Sequence, residues 1–262
     1  MNINGNRAVA YFDILGFKSK IDNCTLETLS EDYERIISYT DGQFSVENGE
    51  IIQRKVCHRY IFSDSIFLIA EEDTEDSFVD MLSYAWRMMQ TFIASGFPLR
   101  GAVTYGEVYV NLERNVFLGK AISDAAVLEG KQDWIGAIVD SSVIERYKSV
   151  IAREDICGTV LSVLLPIYEV PLKDGTRQER CVLNWRLNIV AQDGIKSLFK
   201  NEPYSYEAQR KIDNTLCFSK EIRAANIAYL SGERLPQRYQ LFYIGHDAPA
   251  DNRIPFQHGD EY

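Results

Sequence analysis

Closely spaced cysteine pairs are missing from this 262-residue sequence, which has five cysteines in all. Their odd number and the lack of any CxxC spacing argue against a disulfide framework and against a zinc knuckle. Long apolar runs are missing too: no stretch approaches the roughly 20 residues that a membrane span needs, and the first residues do not form a secretion signal. We therefore expect reduced thiols, no membrane association and a cytoplasmic location.

Positive charge is scarce, because 28 Lys and Arg residues face 38 Asp and Glu residues, for a formal net charge of −10. Proteins that bind duplex nucleic acid place many cations against phosphates, so we expect no nucleic-acid partner. Walker A, GxGxxG and GxSxG motifs are absent as well. An acidic chain can still bind a nucleotide when divalent metal ions carry the positive charge.

Apolar residues, which make up 46% of the chain, follow strand and helix periods in alternation and predict an α+β fold. Residues 7–14 are expected to form a buried strand and residues 25–39 a helix. Further patterns follow in this order: strand-like runs EIIQRKVCHRY and YIFSDSIFLIA, a helix over about 75–95, and strand or helix patterns in LRGAVTYGEVYV, NVFLGKAISDAAVLEG and GAIVDSSVIERY. The order β-α-β-β-α-β predicts a ferredoxin-like split βαβ sheet, with helices on one face.

The pattern changes near residue 150. A hairpin is expected around Lys173, Asp174 and Gly175, and a long helix over residues 205–230. No repeat, low-complexity segment or Gly/Ser-rich linker separates the two parts. We therefore expect residues 1–150 to form the main domain and residues 151–262 a strand-hairpin and helical extension packed on that core.

Two aspartates lie in otherwise apolar strand patterns. Asp13 is near the end of the first strand, and Asp64 follows a turn in YIFSDSIFLIA. A carboxylate buried without a partner costs several kcal/mol, so something positive should meet each of them. Strands of a split βαβ sheet bring these positions side by side, and paired oxygen ligands suit Mg²⁺ or Mn²⁺ that also holds substrate phosphates.

The residues after Asp13 support the same interpretation. Ile14 can lend a carbonyl oxygen to a metal ion, and the turn Leu15-Gly16-Phe17-Lys18 offers backbone N–H groups and the Lys18 ammonium to a polyphosphate. An aspartate before a glycine turn is often only a turn residue. The second aspartate is what favours a metal site.

These motifs resemble those of class III nucleotidyl cyclases. YFDILGF is similar to their first-strand motif, YIFSDSIFLI to their metal-binding hairpin, and LRGAVTYGEVYV with GKAISDAAVLE to the next strand and helix, in family order over residues 7–148. The resemblance implies a cyclase-like catalytic domain in residues 1–150. It also implies two Mg²⁺ or Mn²⁺ ions bound by Asp13, Ile14 and Asp64, and a homodimer whose interface forms the active sites.

Four positions depart from the purine cyclases. Tyr60 occupies the base-selecting position four residues before Asp64, and Val116 the polar position before the helix. Ser123 and Val127 replace the usual helix Asn and Arg. Loss of a charge-stabilising donor commonly costs a factor of hundreds in rate, so the site is either inactive or rebuilt for another base. The two aspartates favour rebuilding, because facing carboxylates without an ion repel each other or take up a proton.

Tyr60, Phe62 and Asp64 are expected to alternate onto one strand face, which places the tyrosine in the metal cleft. This combination resembles the bacterial pyrimidine cyclases of the anti-phage systems called Pycsar, which make cyclic UMP or cyclic CMP. Arg100 shares a strand face with small residues, and its donors would favour uracil O4 over the cytosine amino group. Alternatively, Arg100 pairs with a carboxylate.

The resemblance implies conversion of UTP to 3′,5′-cyclic UMP as a second messenger in defence, with the metal aspartates from one subunit and Tyr60 from the other. The alternative is a cytidylate cyclase, which would make cyclic CMP. A nucleotide-binding or dimerisation module without turnover, and a metal-dependent phosphohydrolase, are the other hypotheses.

Overall fold

The computed structural model describes residues 2–41, 44–47, 50–53, 56–151, 164–186 and 205–230. The strands are β1 (Asn2–Ile14), β2 (Phe44–Glu47), β3 (Glu50–Gln53), β4 (His58–Phe62), β5 (Ser65–Ile69), β6 (Leu99–Asn111), β7 (Val116–Leu118), β8 (Ala137–Val139), β9 (Ile167–Pro171) and β10 (Arg177–Val182). The helices are α1 (Phe17–Asn23), α2 (Leu26–Asp41), α3 (Glu75–Ala94), α4 (Lys120–Lys131), α5 (Ser141–Arg146), α6 (Lys148–Ile151) and α7 (Tyr206–Leu230).

One eight-stranded sheet forms the centre of the molecule, in the order β4-β5-β1-β6-β8-β10-β9, with β7 beside β6. Within it, β1 lies between β5 and β6 and is antiparallel to both, and β4 is antiparallel to β5. This is the strand arrangement of a split βαβ sheet, so the predicted α+β, ferredoxin-like fold is confirmed. Strands β2 and β3 form a separate hairpin.

Strand β1 is the central strand, and its side chains alternate between two environments. Ala10, Phe12 and Ile14 are fully buried in the large core that α3 covers. Tyr11 and Asp13 point to the opposite face and are only half-buried. The strand begins five residues earlier than predicted, because β6 pairs with its whole length.

Helix α3 supplies ten buried residues to the large core on one side of the sheet. The Thr74 side chain caps the helix by accepting the N–H of Ser77, and the chain leaves it at Gly96, whose φ of 79° is the left-handed conformation that glycine adopts easily. In the described part of the chain no helix is long and apolar enough to cross a membrane.

Helix α4 lies on the other face of the sheet, so the expectation of helices on one face is wrong. Ala121 of α4 packs in a small cluster with Val9 and Val108, and the Thr104 hydroxyl donates to the Ala121 carbonyl at 2.8 Å. The helix can approach closely because small residues face each other here.

The segment YIFSDSIFLIA, whose apolar pattern is strand-like throughout, forms the hairpin of β4 and β5 that the family resemblance implied. Phe62 pairs with Ser65, so Ser63 and Asp64 form a two-residue turn, and Ser63 has a left-handed φ of 57°. The run EIIQRKVCHRY is also divided, between β3 and β4. Apolar composition alone did not distinguish a strand from a hairpin with a tight turn.

The chain after residue 163 continues the same sheet. Strand β10 pairs with β8 through Cys181 and Val139, and β9 pairs with β10, so the predicted hairpin around Lys173 is present. Helix α7 confirms the predicted long helix, and its Phe218 ring packs 4.8 Å from that of Trp134. The division at residue 150 stays a prediction, although strands on both sides of it share one sheet.

Candidate active site

Asp13 and Asp64 lie next to each other at one end of the sheet. Asp13 is the last but one residue of β1 and pairs with Ser65, and Asp64 occupies the preceding turn position. The backbone N–H of Ile14 donates to the Asp64 carbonyl oxygen at 3.0 Å, which ties the turn to the end of β1. Both carboxylates are half-buried.

The electrostatic environment of Asp13 is mainly negative. Burial, together with the charges of Glu129 and Asp64, raises the pKa of Asp13 to about 6. Arg100 and Lys173 act in the opposite direction and offset part of this rise. The positive groups that the sequence analysis expected near Asp13 are therefore present, but they do not offset burial and the neighbouring carboxylates. The pKa of Asp13 stays raised.

The oxygen donors fit a hard divalent cation. No hydrogen bond or ion pair from the described residues reaches the carboxylate of Asp13 or of Asp64. Within the same residues no group of three His, Cys, Asp or Glu side chains could hold a metal ion. A two-carboxylate site of this type needs backbone carbonyl, water or substrate oxygens to complete the coordination, as Mg²⁺ usually has.

The turn after Asp13 is shorter than predicted. Gly16 has a left-handed φ of 74° and directly precedes α1, so Phe17 and Lys18 belong to a helix. The Phe17 side chain is buried, whereas Lys18 is exposed. The backbone N–H groups at the start of a helix have no partner within it, so they remain available to an anion.

Tyr60 shares a sheet face with Asp13 but is not adjacent to it. Both Tyr60 and Tyr11 pair with Phe67, which places β5 between them. From strand spacings the α-carbons of Tyr60 and Asp13 are about 12 Å apart. The expectation that Asp64 alternates with Tyr60 along one strand is wrong, because β4 ends before the turn.

The Tyr60 ring lies between two others. It contacts Phe117 edge to face at 4.9 Å and lies parallel to His58 at 6.5 Å. His58 is buried, and its Nε2 is 3.0 Å from a Glu71 carboxylate oxygen. Burial raises the pKa of Tyr60, with a further contribution from Glu71. The hydroxyl is therefore protonated at neutral pH and can donate or accept a hydrogen bond.

Arg100 is buried and paired. It lies opposite Asp13 in the register of β6 and β1, but its guanidinium donates to the Glu129 carboxylate and, at 3.0 Å, to the Gln132 carbonyl. The alternative that Arg100 pairs with a carboxylate therefore describes this structure. A contact of Arg100 with a base stays a prediction.

Two exposed apolar side chains lie on the elements of this face. Phe62 at the end of β4 is 82% exposed and Val127 of α4 is 53% exposed. Ser123 of α4 is exposed too. Single exposed apolar side chains are common on protein surfaces, whereas adjoining ones form a patch that can bind a partner.

Sequence reasoning missed three residues near the aspartates. The Tyr11 hydroxyl is 3.1 Å from that of Ser65, and burial, with smaller contributions from Asp13, Glu129 and Asp64, raises the pKa of Tyr11. The alternation of β1 could have revealed Tyr11, since it lies two residues before Asp13. Glu129 comes from a distant helix, and no local pattern points to it.

No family model and no curated protein matches this sequence. Solved structures with a similar chain path include adenylyl and guanylyl cyclase domains. One is the catalytic core of a rhodopsin-guanylyl cyclase with converted specificity, at 10% identity and a TM-score of 0.46, over 70% of this chain and 98% of that one. Another is the adenylyl cyclase CyaB from P. aeruginosa, at 12% identity and a TM-score of 0.44, over 70% and 96%.

The guanylate cyclase domain of RhGC from Catenaria anguillulae, solved in complex with GTP, is 15% identical at a TM-score of 0.41, over 70% of this chain and 97% of that one. Similarities of this size carry no argument about activity. The fold class rests instead on the strand order and connections described above.

Proposed function

We propose that this protein is a nucleotidyl cyclase that converts UTP to 3′,5′-cyclic UMP and pyrophosphate. The observation that carries the proposal is the pair of half-buried carboxylates, Asp13 and Asp64, held together with no hydrogen bond or ion pair from the described residues. Such a pair is costly unless cations occupy it. A polyphosphate substrate brings those cations.

In this reaction the ribose 3′ oxygen forms a bond to the α-phosphorus, and the bond from that phosphorus to the pyrophosphate oxygen breaks. Two Mg²⁺ or Mn²⁺ ions held by Asp13, the Ile14 carbonyl and Asp64 would supply Lewis-acid chemistry, lowering the pKa of the 3′-hydroxyl and neutralising charge on the leaving group. The N–H groups of Gly16, Phe17 and Lys18, with the Lys18 ammonium, would hold the polyphosphate.

Base choice is assigned to Tyr60 and Arg100. The Tyr60 ring fills space that a purine would need, and its protonated hydroxyl can contact a pyrimidine edge. Arg100 donates to Glu129 and Gln132 through three of its five N–H groups, so a further N–H would be the one to reach uracil O4. A cytidylate cyclase is the alternative if no N–H of Arg100 reaches the base.

A homodimer with shared active sites is part of the proposal. The exposed Phe62 and Val127 lie on elements of the face that carries Asp13 and would be covered by the second copy. The metal aspartates would come from one subunit and Tyr60 from the other. The product would serve as a second messenger in bacterial anti-phage defence.

The test is to incubate the purified protein separately with ATP, GTP, CTP and UTP and with Mn²⁺, and to identify products by chromatography and mass. Cyclic UMP is expected from the wild type and not from Asp64→Ala. The variant Asp213→Ala, which removes an exposed carboxylate of α7, should behave as wild type. Cyclic CMP alone would replace UTP by CTP in the proposal, and no cyclic product from any nucleotide would refute it.

The second candidate is a nucleotide-binding module without turnover. It is favoured by the exposed Ser123 and Val127 of α4, which provide neither the amide nor the guanidinium donors expected there. Nucleotide binding without any product would identify it. Release of a linear monophosphate would instead identify a phosphohydrolase using the same aspartates.

A further inference from the structure

Tyr33 of α2 connects the aromatic core to the turn that carries Asp64. Its ring contacts the Phe17 ring at 5.8 Å, the Phe92 ring at 5.8 Å and the Phe97 ring at 5.6 Å, each edge to face. Its hydroxyl donates to the Ser63 carbonyl oxygen at 3.0 Å. Three rings thus hold the phenol in place, and the hydroxyl reaches the residue directly before Asp64.

The backbone of Ser63 is unfavourable on its own. Its φ of 57° lies in the left-handed region, and a two-residue hairpin with positive φ at its first central position normally has glycine there. A non-glycine residue in this conformation costs on the order of 1 kcal/mol and needs support from its surroundings. In the described part of the chain, the Tyr33 hydroxyl is the side chain that hydrogen-bonds to the Ser63–Asp64 turn.

The turn is held from two sides. On one side the Ile14 N–H donates to the Asp64 carbonyl at 3.0 Å, and on the other Tyr33 donates to the carbonyl of Ser63. Since the turn has only two residues, rotation of the peptide between them redirects the Asp64 side chain. Loss of the second contact would leave the Ser63 carbonyl without this restraint, while the Ile14 N–H still ties Asp64 to β1.

We propose that Tyr33 is a positioning residue, whose hydroxyl fixes the Ser63 peptide and so keeps Asp64 beside Asp13 for a shared divalent cation. The inference rests on the proposed function for the metal, but it concerns the geometry of the two carboxylates and not the chemical step. According to this proposal, the site formed by Asp13 and Asp64 at the end of the sheet requires Tyr33, a residue of helix α2.

The experiment measures Mn²⁺ binding to the full-length protein without nucleotide, by calorimetry or by the loss of the free-ion paramagnetic resonance signal. In Tyr33→Phe the ring contacts remain and only the hydroxyl is lost. The Mn²⁺ dissociation constant should rise about 10-fold, the lower end of the range expected for loss of a supporting outer contact. Tyr39→Phe, which alters an exposed tyrosine on the same helix, should leave it unchanged.

A rescue variant separates positioning from packing. Ser63→Gly lowers the cost of the left-handed conformation, so Tyr33→Phe combined with Ser63→Gly should recover part of the lost Mn²⁺ affinity. A merely structural role of Tyr33 predicts a lower melting temperature and no such recovery. Circular dichroism melting of each variant monitors folding independently.

The outcomes distinguish this inference from the proposed function. Weaker Mn²⁺ binding in Tyr33→Phe with rescue by Ser63→Gly supports positioning, even if the wild type forms no cyclic nucleotide. Unchanged Mn²⁺ affinity in Tyr33→Phe overturns the inference, even if the wild type is an active cyclase. Absence of Mn²⁺ binding in the wild type overturns it as well.

Discussion

Asp13 carries the strongest electrostatic imbalance near the candidate site. Burial raises its pKa from 3.8 to about 6, assisted by the charges of Glu129 and Asp64. Between these two values the folded protein binds a proton that the unfolded chain has already released. The free energy of unfolding of the metal-free protein therefore falls as the pH rises through this window.

The first prediction follows from that sign. With metal removed by a chelator, Asp13→Asn should be more stable than wild type by about 1–2 kcal/mol near neutral pH, because the amide carries no charge to bury. Below the ordinary aspartate pKa the difference should vanish. Urea unfolding across the pH range, with Asp213→Asn as the control, measures it. A difference that does not depend on pH would show that charge is not the cause.

Helix α7 packs against the sheet through an aromatic cluster around Phe218. The Phe218 ring lies 4.8 Å from Trp134, 5.0 Å from Tyr168 and 5.9 Å from Trp185. The Thr215 hydroxyl accepts the N–H of Ile135 at 2.9 Å. The helix therefore packs on side chains from before β8, from β9 and from after β10, and joins them into one unit.

The second prediction concerns this cluster. Phe218→Ala should lower the free energy of unfolding by about 3–5 kcal/mol, because a buried ring is replaced by a cavity. Lys220→Ala, an exposed change on the same helix, should cost less than about 0.5 kcal/mol. Urea denaturation measures both. A small effect of Phe218→Ala would mean that α7 is not part of the cooperative core.

The whole molecule presents one sheet face with half-buried carboxylates and exposed apolar side chains. Tyr60 and Asp13 lie on this face with β5 between them. A second copy covering the face would bury Phe62, which is otherwise almost fully exposed. In the proposed dimer, each active site would contain the aspartates of one chain and Tyr60 of the other.

The third prediction tests the shared site. Asp64→Ala and Tyr60→Ala homodimers should each be nearly inactive, whereas a mixture should regain up to roughly a quarter of wild-type activity, because about half of the dimers are mixed and each of those has one intact site. Product formation after mixing and subunit exchange measures it. Phe62→Lys in both chains should prevent the recovery by disfavouring the dimer. No recovery in freely exchanging dimers would contradict a site made by two subunits.

Much of the fold could be predicted because it depends on neighbours in the chain. Apolar alternation identified β1, the helical period identified α3 and α7, and the order of these patterns indicated the split βαβ sheet. The family resemblance implied the hairpin of β4 and β5, but the local pattern did not place Asp64 inside its turn, since no glycine marks the left-handed backbone of Ser63. The Ser63 carbonyl accepts a hydrogen bond from Tyr33, thirty residues earlier in the chain.

The sequence by itself determined the class of fold and identified Asp13 and Asp64 as candidate metal ligands, because both follow from residue type and local period. Only the tertiary structure decided that Arg100 pairs with Glu129, that α4 lies on the second face and that β9 and β10 extend the same sheet. Burial and charge pairing between distant segments set these features. Each depends on which surfaces meet after folding, and no spacing along the chain encodes that directly.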